Sequence, residues 1–252
     1  MRKGKARNAW AHTALIPAAV LCILAASIAF ADGETRLATK AEKDFTKSVL
    51  TAFSRAVPPG PQGWDMTLDT TVIKDLERVT TGVEEYPLQV EYCAAWQDTK
   101  KLNEARVKLD EELMKLAQGP PEKITDEAVE EISRRTAARD AKVRIDLKAN
   151  ILSEGIYEQI APASSIAGGL VYRSPGEYRS NTGWHEGCTY VFLGKNWKLS
   201  RSGGTYVNYT PNKRIPHTAV QSIVVKVRAD PSRARQILNG IDWVALKKLI
   251  KN

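Results

Sequence analysis

The 252-residue chain holds three cysteines, three histidines, three methionines and only four phenylalanines. A zinc site takes three or four ligands at recognisable spacing, and so few imidazoles and thiols do not supply one. The nearest approach is "GWHEGC", where His185 and Cys188 stand three apart. In an extended segment that offset sends the two side chains to opposite faces. A helix would align them, but Gly183 and Gly187 argue against one. A Cys–His nucleophile fails for the same reason. There is no G-x-S-x-G, no P-loop and no G-x-G-x-x-G. "AGG" at 167–169 and "SGG" at 202–204 are too short for phosphate loops and read as bends or bulges. No catalytic residue, metal ligand or cofactor is assigned. Internal repeats and low-complexity segments are absent as well. With 43% hydrophobic and 26% charged residues, the composition excludes a disordered chain and a multi-span membrane protein.

The one long apolar run lies near the N-terminus, uncharged from Ala14 to Ala31 and preceded by Arg2, Lys3, Lys5 and Arg7. A basic start, an apolar stretch and the small-x-small end Ala29-Phe30-Ala31 describe a secretory signal peptide over 1–31. The expectation is a periplasmic or secreted protein with one α+β domain over 32–252. The rival reading is an inner-membrane protein held by a single N-terminal anchor, at the short edge of what spans a bilayer. A lipoprotein reading on Cys22 is disfavoured because Leu21, not a small residue, precedes it. Beyond the signal, two cysteines remain, Cys93 and Cys188. An even count in an oxidising compartment favours a disulfide between them, the alternative being two separate buried thiols.

Periodicity sets out the elements. Phe45, Val49, Ala52, Phe53 and Ala56 make one apolar stripe, so 38–57 is an amphipathic helix, stopped by Pro58-Pro59-Gly60-Pro61. Residues 66–72 and 86–97 read as strands. Asp98 caps a helix with Leu102, Ala105, Leu109, Leu113 and Leu116 on its apolar side. A second helix spans about 126–139, capped by Thr125 or Asp126. Residues 98–148 carry twelve basic and twelve acidic residues, mixed along the sequence as on an ordinary solvated face. Val143, Ile145, Leu147, Ala149 and Ile151 alternate with polar residues, the pattern of a half-buried strand. Strands follow at 170–173, 188–193 and 206–209. A hairpin turn at Gly194-Lys195-Asn196 leads into Trp197-Lys198-Leu199. Val220–Val227 is a further strand. Asp230-Pro231 starts a helix ending near Gly240, and Asp242 caps a last short one.

This order predicts an α+β fold: a largely antiparallel sheet packed by an N-terminal helix, a central helical pair inserted near 98–139, and short C-terminal helices. The segments "AVPPGPQGWDM" at 56–66, "YPLQVEYCAAW" at 86–96 and "VQSIVVKVRADPSRARQILNGIDWVALKKL" at 220–249 resemble exported bacterial proteins of unknown function with a PsbP-like α/β/α layout. The resemblance implies a similar fold and no activity, and it carries no functional residue across.

The formal net charge is +8, and four of the basic residues belong to the signal. Residues 173–252 hold fourteen basic residues and four acidic ones, an asymmetry that points to an anionic partner. Eight of the chain's eighteen aromatics lie between 172 and 209, interleaved with cations. Arg173, Arg179, Lys195, Lys198, Arg201, Lys213 and Arg214 are the candidate anion-binding residues, with Tyr178, Trp184 and Trp197 as candidate aromatic contacts. The competing reading places the aromatics in the core and the cations on the outer faces. The expected protein is exported and noncatalytic. It binds an anionic envelope polymer, a lipid head group or a protein; nucleic acid is disfavoured outside the cytoplasm. The alternatives are an envelope-polymer hydrolase using Glu186 with His185 or His217, and a signal-anchored subunit of a membrane complex.

Overall fold

The computed structural model describes residues 35–69, 76–156, 165–180, 183–201 and 204–251. The segment read as a signal over 1–31 lies outside these residues, as does the end of the extended piece read at 66–72. In chain order, β1 (Thr35–Leu37) precedes α1 (Lys40–Ala56), β2 (Asp65–Asp69) and β3 (Arg78–Thr80). Then come β4 (Val90–Gln97), α2 (Thr99–Ala117), α3 (Asp126–Thr136) and β5 (Lys142–Ala149). Short strands β6 (Ser153–Gly155) and β7 (Ser165–Ile166) lead to β8 (Gly169–Ser174), β9 (Glu177–Arg179) and β10 (Gly183–His185). The chain closes with β11 (Cys188–Leu193), β12 (Trp197–Ser200), β13 (Tyr206–Tyr209), β14 (Ile223–Arg228), α4 (Pro231–Gly240) and α5 (Trp243–Leu249).

Seven strands form one sheet in the order β2-β4-β5-β14-β11-β8-β7, every neighbour antiparallel. The fold is α+β. Strand alternation sends Val90, Tyr92, Ala94 and Trp96 of β4 to the same face as Val143, Ile145, Leu147 and Ala149 of β5. Ile223, Val225 and Val227 of β14 continue that face. It is covered by Val49, Phe53 and Ala56 of α1, Ala234, Ile237 and Leu238 of α4, and Leu246 of α5. Helix α1 starts from a reciprocal cap. The Glu42 amide donates to Thr39 Oγ1 at 3.3 Å, and the Thr39 amide donates to Glu42 Oε2 at 2.7 Å. The proline-rich turn after it closes over the Trp96 indole. A Cβ at Gly60 would lie 2.2 Å from Trp96 Nε1, so glycine is the residue that fits.

The opposite face is divided. Over β8, β11 and β14, a three-stranded sheet β12-β13-β6 encloses Tyr172, Tyr190, Phe192, Val207 and Val224. Over β4 and β5 the face is polar: Asp146 and Cys93 are buried at its centre, while Glu91 and Lys142 are exposed. Strand β5 keeps the alternation its sequence predicts, except that Asp146 on the polar side is buried. The turn at 194–196 also differs from expectation. It does not fold β12 back on β11; β12 leaves the large sheet and pairs with β13. Helices α2 and α3 form a hairpin whose apolar stripe packs mainly on itself, and α2 contributes no buried residue.

The expected disulfide is not formed: Cys93 and Cys188 are separate buried thiols. Cys93 lies on β4 and Cys188 on β11, with β5 and β14 between them. Three interstrand steps amount to about 14 Å, twice the roughly 7 Å limit between the Cα atoms of a bridged pair. Cys93 and Cys188 are both expected to titrate as free thiols on denaturation without reductant, with slow reaction in the native protein. Recovery of a Cys93–Cys188 crosslinked peptide contradicts the strand order. Phe53→Ala is expected to lower unfolding free energy by about 3–5 kcal/mol in urea, because Phe53 is fully buried beneath α1.

Candidate functional site

The predicted cation–aromatic platform does not exist as a unit. Trp197 packs between Phe192 and Tyr209, each ring centroid 4.9 Å away, and its indole N–H donates to Leu193 O at 3.0 Å. It belongs to the core between the two sheets. Trp184 faces Tyr178 across the β9–β10 pair, lies beneath the Arg139 guanidinium at 4.5 Å, and donates to Glu186 Oε2 at 3.0 Å. The cations point several ways. Arg173 shares the parity of Val171, on the helix side of the sheet, whereas Lys198 projects from the outer face of β12 opposite Asn208. Arg179 pairs with Glu177 on its own strand. Lys195 lies in the β11–β12 turn and Arg201 just after β12, both exposed. Lys213 lies over the Tyr86 ring at 5.9 Å, and Arg214 is exposed beside it. The physical reason is strand alternation: successive residues leave opposite faces, so neighbours in sequence diverge.

Glu186 and His217 of the hydrolase reading do not come together. Glu186 uses one carboxylate oxygen on the Trp184 indole and the other on the Ala141 amide at 3.3 Å. His217 instead meets Glu42, Nε2 to Oε1 at 3.0 Å, while its carbonyl accepts from the Leu88 amide at 2.8 Å. Ala141 precedes β5 and Leu88 neighbours Asn150 at its far end. An eight-residue strand puts Glu186 and His217 roughly 23 Å apart. Burial pushes the Cys93 thiol well above its ordinary value and raises Cys188 too, so both are protonated and poor nucleophiles. Among the described residues no group of three or more His, Cys, Asp or Glu side chains is arranged to hold a metal.

Two buried ionic centres hold the elements in place. Glu42 is fully buried and takes a bidentate Arg36, at 2.9 and 2.8 Å, as well as His217. Arg36 also pairs with Glu84. The Arg36 hydrogen bonds hold the Glu42 carboxyl far below the usual carboxylate range, against the opposing effect of burial. On the polar face of the sheet, Glu154 of β6 accepts from Lys226 at 2.8 Å and Lys148 at 3.1 Å, and the Lys226 ammonium lies 4.9 Å from the Tyr190 ring centre. Burial opposes the Lys148 charge, yet Glu154 and Glu91 outweigh it and raise the pKa.

The surface feature that stands out is the outer side of the helix layer. Lys40, Lys43, Lys47 and Arg55 run along the solvent face of α1. Lys247, Lys248 and Lys251 line α5 and its end, and Arg235 stands on α4. Helix α1 packs on α5, and the Asp242 amide donates to Ala56 O at 3.0 Å, so these cations share one layer. Its acidic residues are few and occupied: Asp44 pairs with Lys40, while Asp230 and Asp242 cap α4 and α5. Among the described residues, Lys40 alone of these cations has a carboxylate at ion-pair distance. Val244 is 59% exposed in this layer, and Leu37, preceding α1, is 69% exposed. The C-terminal part of this face is contained in the charge count over 173–252. The α1 part is not, because residues 32–97 are acidic in sum; the basic polar side of the first amphipathic helix is the signal that marks it.

Glu42→Gln is expected to cost about 1.5–3 kcal/mol at pH 7, since it replaces the charge-assisted hydrogen bonds from Arg36 with neutral ones while Arg36 keeps Glu84. A depressed folded-state pKa contributes stability that is present above the unfolded value and lost as pH falls toward the folded one. Urea titrations from pH 7 downward are therefore expected to show wild-type stability falling below about pH 5, with a shallower fall in the variant. Equal acid slopes contradict this role.

No family model, curated protein or solved structure matches the chain, so the likeness to PsbP-like exported proteins rests on the three sequence segments that carry it.

Proposed function

We propose that the chain is an exported, noncatalytic protein that docks on the anionic lipid head groups of the cell envelope through the outer face of α1 and α5. The observation that carries this reading is the run of exposed cations shared by those two helices, of which only Lys40 has an acidic partner among the described residues. The basic, apolar, small-residue pattern over 1–31 supports export. Lys and Arg near an anionic bilayer contribute about 1 kcal/mol each, so a handful of them holds a protein at the surface reversibly. Exposed Val244 suits an interface where apolar contact accompanies charge.

Co-sedimentation with vesicles of phosphatidylglycerol and phosphatidylcholine in equal parts tests the reading. Binding is expected at low salt, with loss as added salt shortens the Debye length from about 10 Å at 0.1 M to a few ångströms at 1 M. Reversing Lys43, Lys47, Lys247 and Lys248 to glutamate is expected to weaken it more than tenfold with the fold unchanged. Equal binding to phosphatidylcholine alone, or indifference to salt, contradicts the proposal.

A further inference from the structure

Helix α2 runs for nineteen residues without burying one of them. Its half-buried positions, among them Leu102, Ala105, Leu109 and Leu113, form the stripe toward α3. On the opposite side stand two more apolar side chains one heptad apart, Val107 at 55% and Met114 at 62% exposure. Charge on the hairpin is sorted by folding. Its base, residues 98–108 and 132–139, holds seven cations and two carboxylates, while its tip, 109–131, holds eight carboxylates and two lysines. Along the sequence the two signs are mixed; the return of the chain at 118–125 lays the basic start of α2 beside the basic end of α3.

We propose that the outer face of α2 pairs antiparallel with α2 of a second copy of this chain, about a two-fold axis near Val107. A parallel pairing stacks basic base on basic base and acidic tip on acidic tip. The antiparallel one sets each base against the partner's tip. With 3.6 residues per turn, a crossing centred on Val107 packs that residue on its symmetry mate and lays Met114 over the alkyl stem of Lys100 of the second copy. One flank then brings Arg106 to Asp110 of the second copy, and the other brings Lys108 to Glu104 of the second copy. All four charged side chains are exposed. The contact is isologous, so each pair occurs twice. A helix of nineteen residues is about 28 Å long. One helix pair of that length buries less than the roughly 1,200 Å² of a stable specific complex, so the dimer is weak and concentration-dependent.

Sedimentation velocity of the purified protein from about 1 μM to 1 mM, the affinity range of weak complexes, tests this. Wild type is expected to shift from monomer to dimer across the range. The variants Arg106→Asp/Lys108→Glu and Glu104→Lys/Asp110→Arg are each expected to stay monomeric, with unchanged far-UV circular dichroism. Mixed in equal amounts they are expected to recover the dimer, because each of the pairs Arg106–Asp110 and Lys108–Glu104 is again opposite in sign. A wild type that remains monomeric throughout, variants that still dimerise alone, or a mixture that stays monomeric each overturns the proposal.

Discussion

The structure depends on closing the aliphatic face of the seven-stranded sheet with both ends of the described chain. Helix α1 arrives from the N-terminal side and α4 and α5 from the C-terminal side, and they meet over β4, β5 and β14. The Asp242 amide bonds to Ala56 O at 3.0 Å, and the Lys251 amide bonds to Val220 O at 2.7 Å. Apolar burial contributes about 25 cal/mol per Å², and this face buries Val, Ile, Leu and Phe side chains from nearly every major element. Because α1 and α5 must lie side by side to cover it, their solvent faces are forced into one surface. Core packing thereby assembles a cationic face from residues about two hundred positions apart.

The other face follows a different rule. Aliphatic residues give way to Asp146, Lys148, Lys226 and Glu154, all within the span between sheets or at its margin. Buried ion pairs add little net stability but penalise any arrangement that leaves a charge unpaired. Lys226 and Lys148 converge on Glu154, which fixes the small sheet against the large one in one register. Asn150 ties the end of β5 to the segments at Leu88 and Ala219–Gln221 by neutral bonds. Its side-chain amide donates to Leu88 O and Ala219 O, and its carbonyl oxygen accepts from the Gln221 amide at 2.7 Å.

Much of the secondary structure was legible in the chain because it rests on local rules. The stripe from Phe45 to Ala56, the caps Asp98, Thr125, Asp230 and Asp242, and the alternation through Val143–Ala149 all appear where periodicity places them. What escaped was pairing at a distance. Compartment and cysteine count say nothing of how many strands lie between Cys93 and Cys188. The Gly194 turn looks like a hairpin, yet β12 finds its partner in β13. Short strands such as β1, β3 and β6 carry too few residues for a period to show. The site was misplaced for the same reason. Charge counted along the sequence ranked residues 173–214 first, whereas folding scatters those cations and packs α1, which carries Lys43 and Lys47, against α5, which carries Lys247 and Lys248.

That gathering is the central claim, and a distance measures it directly. Packed helices have axes about 8–10 Å apart. Nitroxides at Thr51 on α1 and Val244 on α5, both exposed, diluted with unlabelled protein, are therefore predicted to give an electron–electron separation well under about 30 Å, allowing for the helix spacing and two label arms. A distribution centred beyond about 40 Å, close to the diameter of a domain this size, would contradict the shared layer and with it the cationic face.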